Sequence, residues 1–136
     1  MFLSDDSIKK ISDFLIKKIN PYLIYLFGSS VKGNFREDSD IDIAFFSDEE
    51  FSDYEIFMTA QELADIMKRE VDLVNLKKSS TVFKAQIVGT GKTIYCSDEN
   101  RRMYFEMYVF KDYALLNEER AEILESIKKR GTVYGE

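Results

Sequence analysis

Residues 22–46 read YLIYLFGSSVKGNFREDSDIDIAFF, and the order of features in this stretch decides the fold. Tyr22-Leu23-Ile24-Tyr25-Leu26-Phe27 is a short apolar run rich in branched and aromatic residues, the pattern of a buried strand. Gly28-Ser29-Ser30-Val31-Lys32-Gly33 follows at once and reads as a tight turn that opens at most one helical turn. Asn34 to Ser39 is polar loop. Asp40-Ile41-Asp42-Ile43-Ala44-Phe45-Phe46 alternates acidic with apolar residues and then becomes wholly apolar, as a strand does when it enters a core.

Working outward, Ser4 caps a helix that opens on Asp5 and Asp6. Ile8, Ile11, Leu15 and Ile19 recur near helical spacing, and Pro21 marks the stop. Phe51 to Arg69 predicts a second helix with Ile56, Ala60, Leu63, Ile66 and Met67 on its inner face. Glu70 to Leu76 predicts a third strand, and Ser79 to Val88 a short helix stopped near Gly89 and Gly91. Thr93 to Cys96 predicts a fourth strand. Asp98 to Arg130 is the longest helical stretch, with a break expected near Asn117 and Gly131 as a terminal stop. The expected fold is α/β (α+β): a small mixed sheet of about four strands flanked by helices, with a long C-terminal helix. Residues 1–97 form the core and 98–136 a helical extension packed on the core or on a partner, within a single domain.

In a strand, residues i and i+2 share a face. Asp40 and Asp42 therefore stand together, opposite Ile41 and Ile43. Asp72, framed by Val71 and Leu73, joins them if the third strand lies beside the second. Glu70 shares that face and is the alternative third carboxylate. Clustered carboxylates repel and resist ionisation unless a cation neutralises them. The chain has no histidine, so any metal relies on oxygen ligands, which selects Mg²⁺, Mn²⁺ or Ca²⁺. The turn is the complementary half. Glycine admits close approach of a phosphate, and exposed N–H groups at a helix start bind the anion. Ser29 adds a hydroxyl, Lys32 a positive charge, and Gly33 closes the turn. The bland alternatives are a solvated strand start at Asp40 and Asp42 and glycines that serve only the turn. The combination of Gly-Ser with Asp-x-Asp in strand context outweighs them.

Composition narrows the function. The chain has 136 residues, 45% of them hydrophobic, enough for one domain with a real core. A formal net charge of −6 argues against general nucleic-acid binding. The lone cysteine, Cys96, permits no internal disulfide, and a reducing, cytoplasmic setting is expected. No signal peptide is evident, and no apolar run approaches the roughly 20 residues of a membrane span. Without histidine, Ser-His-Asp and Cys-His catalysis are excluded. Two decoys fall away. Asp38-Ser39-Asp40-Ile41-Asp42 starts like a calcium loop but has Ile43 where glycine is required, and Gly91-Lys92-Thr93 lacks the earlier P-loop glycine, because Gln86 stands there.

At Leu26-Phe27-Gly28-Ser29, Gly33, Ser39-Asp40-Ile41-Asp42 and Val71-Asp72-Leu73 the chain closely resembles the minimal nucleotidyltransferase family, a compact branch of the DNA polymerase β-like superfamily. Where that family often reads Gly-Ser-Arg-Ala-Arg-Gly, this chain has Ser30 and Lys32 at the two arginine positions. Lysine supplies a point charge in place of a bidentate fork. Size and composition are most similar to the adenylyltransferase antitoxins of HEPN/MNT toxin–antitoxin pairs. The resemblance implies transfer of AMP from ATP to a tyrosine of a HEPN-domain toxin, with Asp40, Asp42 and Asp72 holding two Mg²⁺ ions and Gly28, Ser29, Lys32 and Gly33 holding the triphosphate. Two alternatives stay open: a binding module that neutralises its partner by contact alone, and nucleotidyl transfer to a small molecule. Residues 103–116 carry apolar side chains on nearly every side of the last helix, which suggests docking of the toxin or of a second copy.

Overall fold

The computed structural model describes residues 3–32, 36 and 39–133. Helix α1 (Asp5–Ile19) is capped by the Ser4 hydroxyl, which accepts from the Ser7 N–H, and it ends on Asn20 in the left-handed conformation. Strand β1 (Pro21–Phe27) leads into a 3-10 turn over Gly28–Val31. Strand β2 (Ile41–Ser47) leads to helix α2 (Asp53–Met67), capped by Ser52. Strand β3 (Val71–Asn75) is followed by a 3-10 turn over Leu76–Lys78, then helix α3 (Thr81–Thr90), capped by Ser80. Strand β4 (Lys92–Cys96) precedes helix α4 (Glu99–Val133). All four sequence-predicted strands and all four helices are present, with no end shifted by more than three residues.

The strands form one mixed sheet in the order β3-β2-β1-β4, with β1 antiparallel to both neighbours and β2 parallel to β3. Helices α1 and α2 cover one face. There Ile11, Leu15, Ile24, Leu26, Ile43 and Phe45 form a wholly apolar core. Helices α3 and α4 lie on the other face, where Leu23, Tyr25, Ala44, Leu76 and Ile87 form a second cluster joined by Phe83 and Phe105. Arg101 pins the start of α4 to the sheet: its guanidinium pairs with both oxygens of Asp48 and lies 3.9 Å over the Tyr22 ring.

Four local expectations change. Ile66 is 49% exposed, at the margin of the α2 stripe in the helix's last turn, and Thr59 is buried in its place. Gly89 lies inside α3, and of the two expected stops only Gly91 ends the helix; a side chain at Gly89 would meet nothing, and one glycine costs a helix only about 1 kcal/mol. Helix α4 runs through Asn117 without a break and through Gly131 without a stop. Strong helix formers flank Asn117, Leu115 and Leu116 before it and Glu118 and Glu119 after it. Its apolar residues are left open, in keeping with the expected docking surface: Val109 is buried, while Met103, Tyr104, Met107, Tyr108 and Phe110 remain about half or more exposed. Among the described residues no helix is long and apolar enough to cross a membrane.

Candidate active site

The sheet register brings the acidic residues together. Asp42 on β2 lies directly opposite Asp72 on β3, and opposite Phe27, the last residue of β1. Asp40 stands two residues earlier, just ahead of β2, on the same side as Asp42. All three belong to the α3/α4 side of the sheet, because Ile41, Ile43 and Leu73 turn into the α1/α2 core. Glu70 lies one pair further out, beyond the start of β3, and its carbonyl accepts the Ile41 N–H at 2.9 Å. Asp40 and Asp72 are exposed and Asp42 is half-buried.

The electrostatics follow from that placement. Burial pushes the Asp42 carboxyl up from 3.8 to about 6, and the negative charges of Asp72 and then Asp40 push the same way. Among the described residues no cationic side chain pulls the carboxyl back down. Among the described residues no three acidic or thiol groups are gathered tightly enough to cage an ion unaided. That donor set suits Mg²⁺, which takes one or two carboxylates and completes its shell with water and substrate phosphates.

The turn after β1 fits against this face. Gly28 has φ +61°, in the left-handed region, and a Cβ built on it would stand 2.3 Å from Asp42 Oδ2. Both constraints select glycine: the backbone conformation penalises any side chain, and the space is taken by the carboxylate. The Ser29 hydroxyl donates to the Asp40 carbonyl in a long contact of 3.5 Å. Lys32 closes the 3-10 turn through its N–H to the Ser29 carbonyl, at 3.2 Å, and its side chain is exposed. Gly33, the remaining sequence-predicted residue, lies outside the described residues.

Two residues that the sequence reading passed over help to build the site. Ser30, only 3% exposed, accepts the Asp42 N–H on its hydroxyl at 3.0 Å. Arg69, just beyond α2, donates to the Arg36 carbonyl at 2.5 Å and to the Ser39 carbonyl at 3.3 Å, holding the segment that leads into Asp40. Neither carried a clear sequence signal: a serine in a turn usually has water for its hydroxyl, and only the fold buries this one.

Gly28 against Asp42, with Asp72 alongside, sets a tight glycine turn beside a carboxylate face. The family model for the polymerase beta nucleotidyltransferases matches residues 9–100, spanning every element of this site. The chain belongs to that family. A curated relative, the protein adenylyltransferase MntA of Shewanella oneidensis, is 33% identical over 125 residues, covering 92% of this chain and 88% of the relative. Among solved structures, a chain of a toxin–antitoxin complex crystallised with AMP-PNP matches with a TM-score of 0.79 at 33% identity, covering 88% of this chain and 97% of that one. A chain of the complex of tri-AMPylated Shewanella oneidensis HEPN toxin with MNT antitoxin matches with a TM-score of 0.77 at 30% identity, covering 92% and 98%. This nucleotidyltransferase therefore shares its fold with its relatives along nearly their whole length.

Proposed function

We propose that this nucleotidyltransferase transfers AMP from ATP to a tyrosine hydroxyl of a HEPN-domain toxin and so acts as its antitoxin. The observation that carries the reading is Asp42, half-buried between Asp72 and Asp40 and touching the Gly28 turn. The names of the relatives, a protein adenylyltransferase and the antitoxin of an AMPylated toxin, support the acceptor class.

In this reading the 3-10 turn over Gly28–Val31 grips the triphosphate through backbone N–H groups and the Ser29 hydroxyl, with Lys32 and Gly33 alongside. Asp40, Asp42 and Asp72 hold Mg²⁺, most simply two ions, which when bound neutralise the triphosphate and acidify the acceptor hydroxyl. The tyrosine oxygen attacks the α-phosphorus, an O–P bond forms, and the bond to the bridging oxygen breaks to release pyrophosphate. Asp72, exposed on β3, would receive the acceptor proton. In-line displacement sets the acceptor opposite the leaving pyrophosphate. With pyrophosphate at the turn beyond β1, the acceptor enters from the β3 side. There the open edge of β3 and the α2 residue Phe57 border a groove of about 470 Å³ that includes Asp72.

The exposed apolar side chains of α4, among them Met103, Tyr104, Met107 and Phe110, give the toxin a docking surface. The same surface favours one second reading, neutralisation by contact alone. The free thiol of Cys96 suits the reducing cytoplasm that both readings require.

One experiment separates them: incubation with Mg²⁺, labelled ATP and a HEPN-domain partner, alongside Asp40→Ala and Asp42→Ala. Label should appear on the partner and fall at least about a thousandfold in either variant. Neutralisation that survives both substitutions, with no label in any sample, establishes the contact reading instead.

A further inference from the structure

We infer that Ser30 is a positioning residue that fixes Asp42 relative to the phosphate-binding turn. The inference rests on the nucleotidyl-transfer reading for its consequence, though not for its geometry. Asp42 occupies the last rung of the β1–β2 ladder, opposite Phe27. Beyond that rung β1 has ended and the chain bends away at Gly28. Ser30, two residues further along the turn, reaches back, and its hydroxyl oxygen accepts the Asp42 N–H at 3.0 Å.

Asp42 thus meets one turn at two points. Gly28 makes room for its carboxylate, because a Cβ there would stand 2.3 Å from Oδ2. Ser30 limits its main chain. Ser30 is 3% exposed, so water has no ready access to replace the hydroxyl. The turn that faces the triphosphate and the carboxylate that faces the metal therefore move as one unit. Removing the Ser30 oxygen leaves every backbone N–H of the turn and all three carboxylates in place, and releases only the coupling between them. The expected consequence is weaker metal binding with little change in the affinity of the turn for phosphate.

The test uses the full chain. Ser30→Ala should raise the Mg²⁺ concentration for half-maximal transfer about tenfold, the scale of one lost buried hydrogen bond. Mn²⁺ affinity, read by electron paramagnetic resonance with no transfer required, should fall by a similar factor, and amide exchange at Asp42 should quicken. Ser30→Cys fills the site with a somewhat larger atom and exchanges a strong acceptor for a weak one, so it shows the same shift without a cavity. Ser30→Thr retains the oxygen and should restore the wild-type metal dependence. Ile8→Ala, on α1 beside Ser30 and Val31 but outside the turn and with no bond to Asp42, controls for simple loosening: it should lower the melting temperature and leave Mn²⁺ affinity alone. Unchanged Asp42 exchange and Mn²⁺ affinity in both Ser30→Ala and Ser30→Cys overturns the inference, as does an equal metal shift in Ile8→Ala. If the wild-type chain transfers no nucleotide, the functional reading fails, while the exchange and resonance measurements still decide the role of Ser30.

Discussion

The two faces of the sheet are built from the same strands and do opposite work. On the α1/α2 face, Ile41, Ile43 and Phe45 are fully buried among aliphatic neighbours. On the α3/α4 face, the alternate residues of the same strand are Asp42, Ala44 and Phe46. There the core is smaller and more polar: it includes Tyr22 and Tyr25, and α4 lies over it with Arg101, Arg102 and Glu106. The phenol of Tyr25 is pushed well above its usual range, by burial first and then by the Glu106 carboxylate. A strand with period two can thus assign stability to one face and chemistry to the other. The cost is that the chemical face is held by fewer apolar contacts and depends on hydrogen bonds such as the one from Asp42 to Ser30.

The largest contrast is expected on the apolar side. Ile43 is completely buried, and Ile43→Ala should destabilise the fold by about 3–4 kcal/mol through lost burial and a residual cavity. Chemical denaturation measures it. Because Ile43 points away from the carboxylates, Mn²⁺ affinity of the folded fraction should stay at the wild-type value. A large loss of metal affinity in that fraction would show that the two faces are mechanically coupled through β2, contrary to the division of labour.

A smaller loss of stability, with a larger loss of activity, is expected where the faces meet the turn. Gly28→Ala places a side chain at φ +61° and drives it into Asp42 Oδ2. The backbone term is about 1–2 kcal/mol. The carboxylate, at the end of a short flexible side chain, can swing aside, so the fold survives while Asp42 leaves its place. Transfer should fall about a hundredfold at a stability loss of no more than about 2 kcal/mol. Retention of full activity by Gly28→Ala would mean that the contact with Asp42 is incidental.

The fold was legible because its decisive signals are local. Alternation at Asp40–Phe46, the apolar run before Gly28 and the Ser4 cap each fix an element without reference to the rest of the chain. The convergence of Asp42 with Asp72 was a conditional expectation, resting on β3 lying beside β2, and the parallel register supplies that condition. What stayed hidden depends on tertiary placement. Ser30 looked like an ordinary turn serine until the register put Asp42 within reach. Arg69 gains its role only when the end of α2 meets the segment before Asp40. The fate of α4 was hidden for a different reason: hydrophobicity all round a helix signals that something covers it, but not whether the cover belongs to the same chain.

The smallest effect is also the one whose sign runs against habit. Most native carboxylates are held below their unfolded values, so stability is lost as pH falls. Asp42 is the reverse, because burial, Asp72 and Asp40 raise its carboxyl from 3.8 to about 6. Between those values the metal-free folded chain binds more protons than the unfolded chain, so its stability declines as pH rises through that window. Below about pH 4 both states hold the proton and the penalty vanishes. Asp42→Asn removes the charge and nearly preserves the shape. At pH 7.5 with chelator it should therefore be more stable than wild type by about 1–2 kcal/mol, discounted for the solvent exposure of the group. At pH 3.5 the two should melt alike. Mg²⁺ with ATP inverts the order, because the ionised carboxylate is then a ligand, and wild type gains stability that Asp42→Asn does not. Thermal melts across pH, with and without metal, read all three limbs. If Asp42→Asn gains nothing at pH 7.5 without metal, Asp42 carries no electrostatic strain, and its face of the sheet is no less stable in itself than the apolar one.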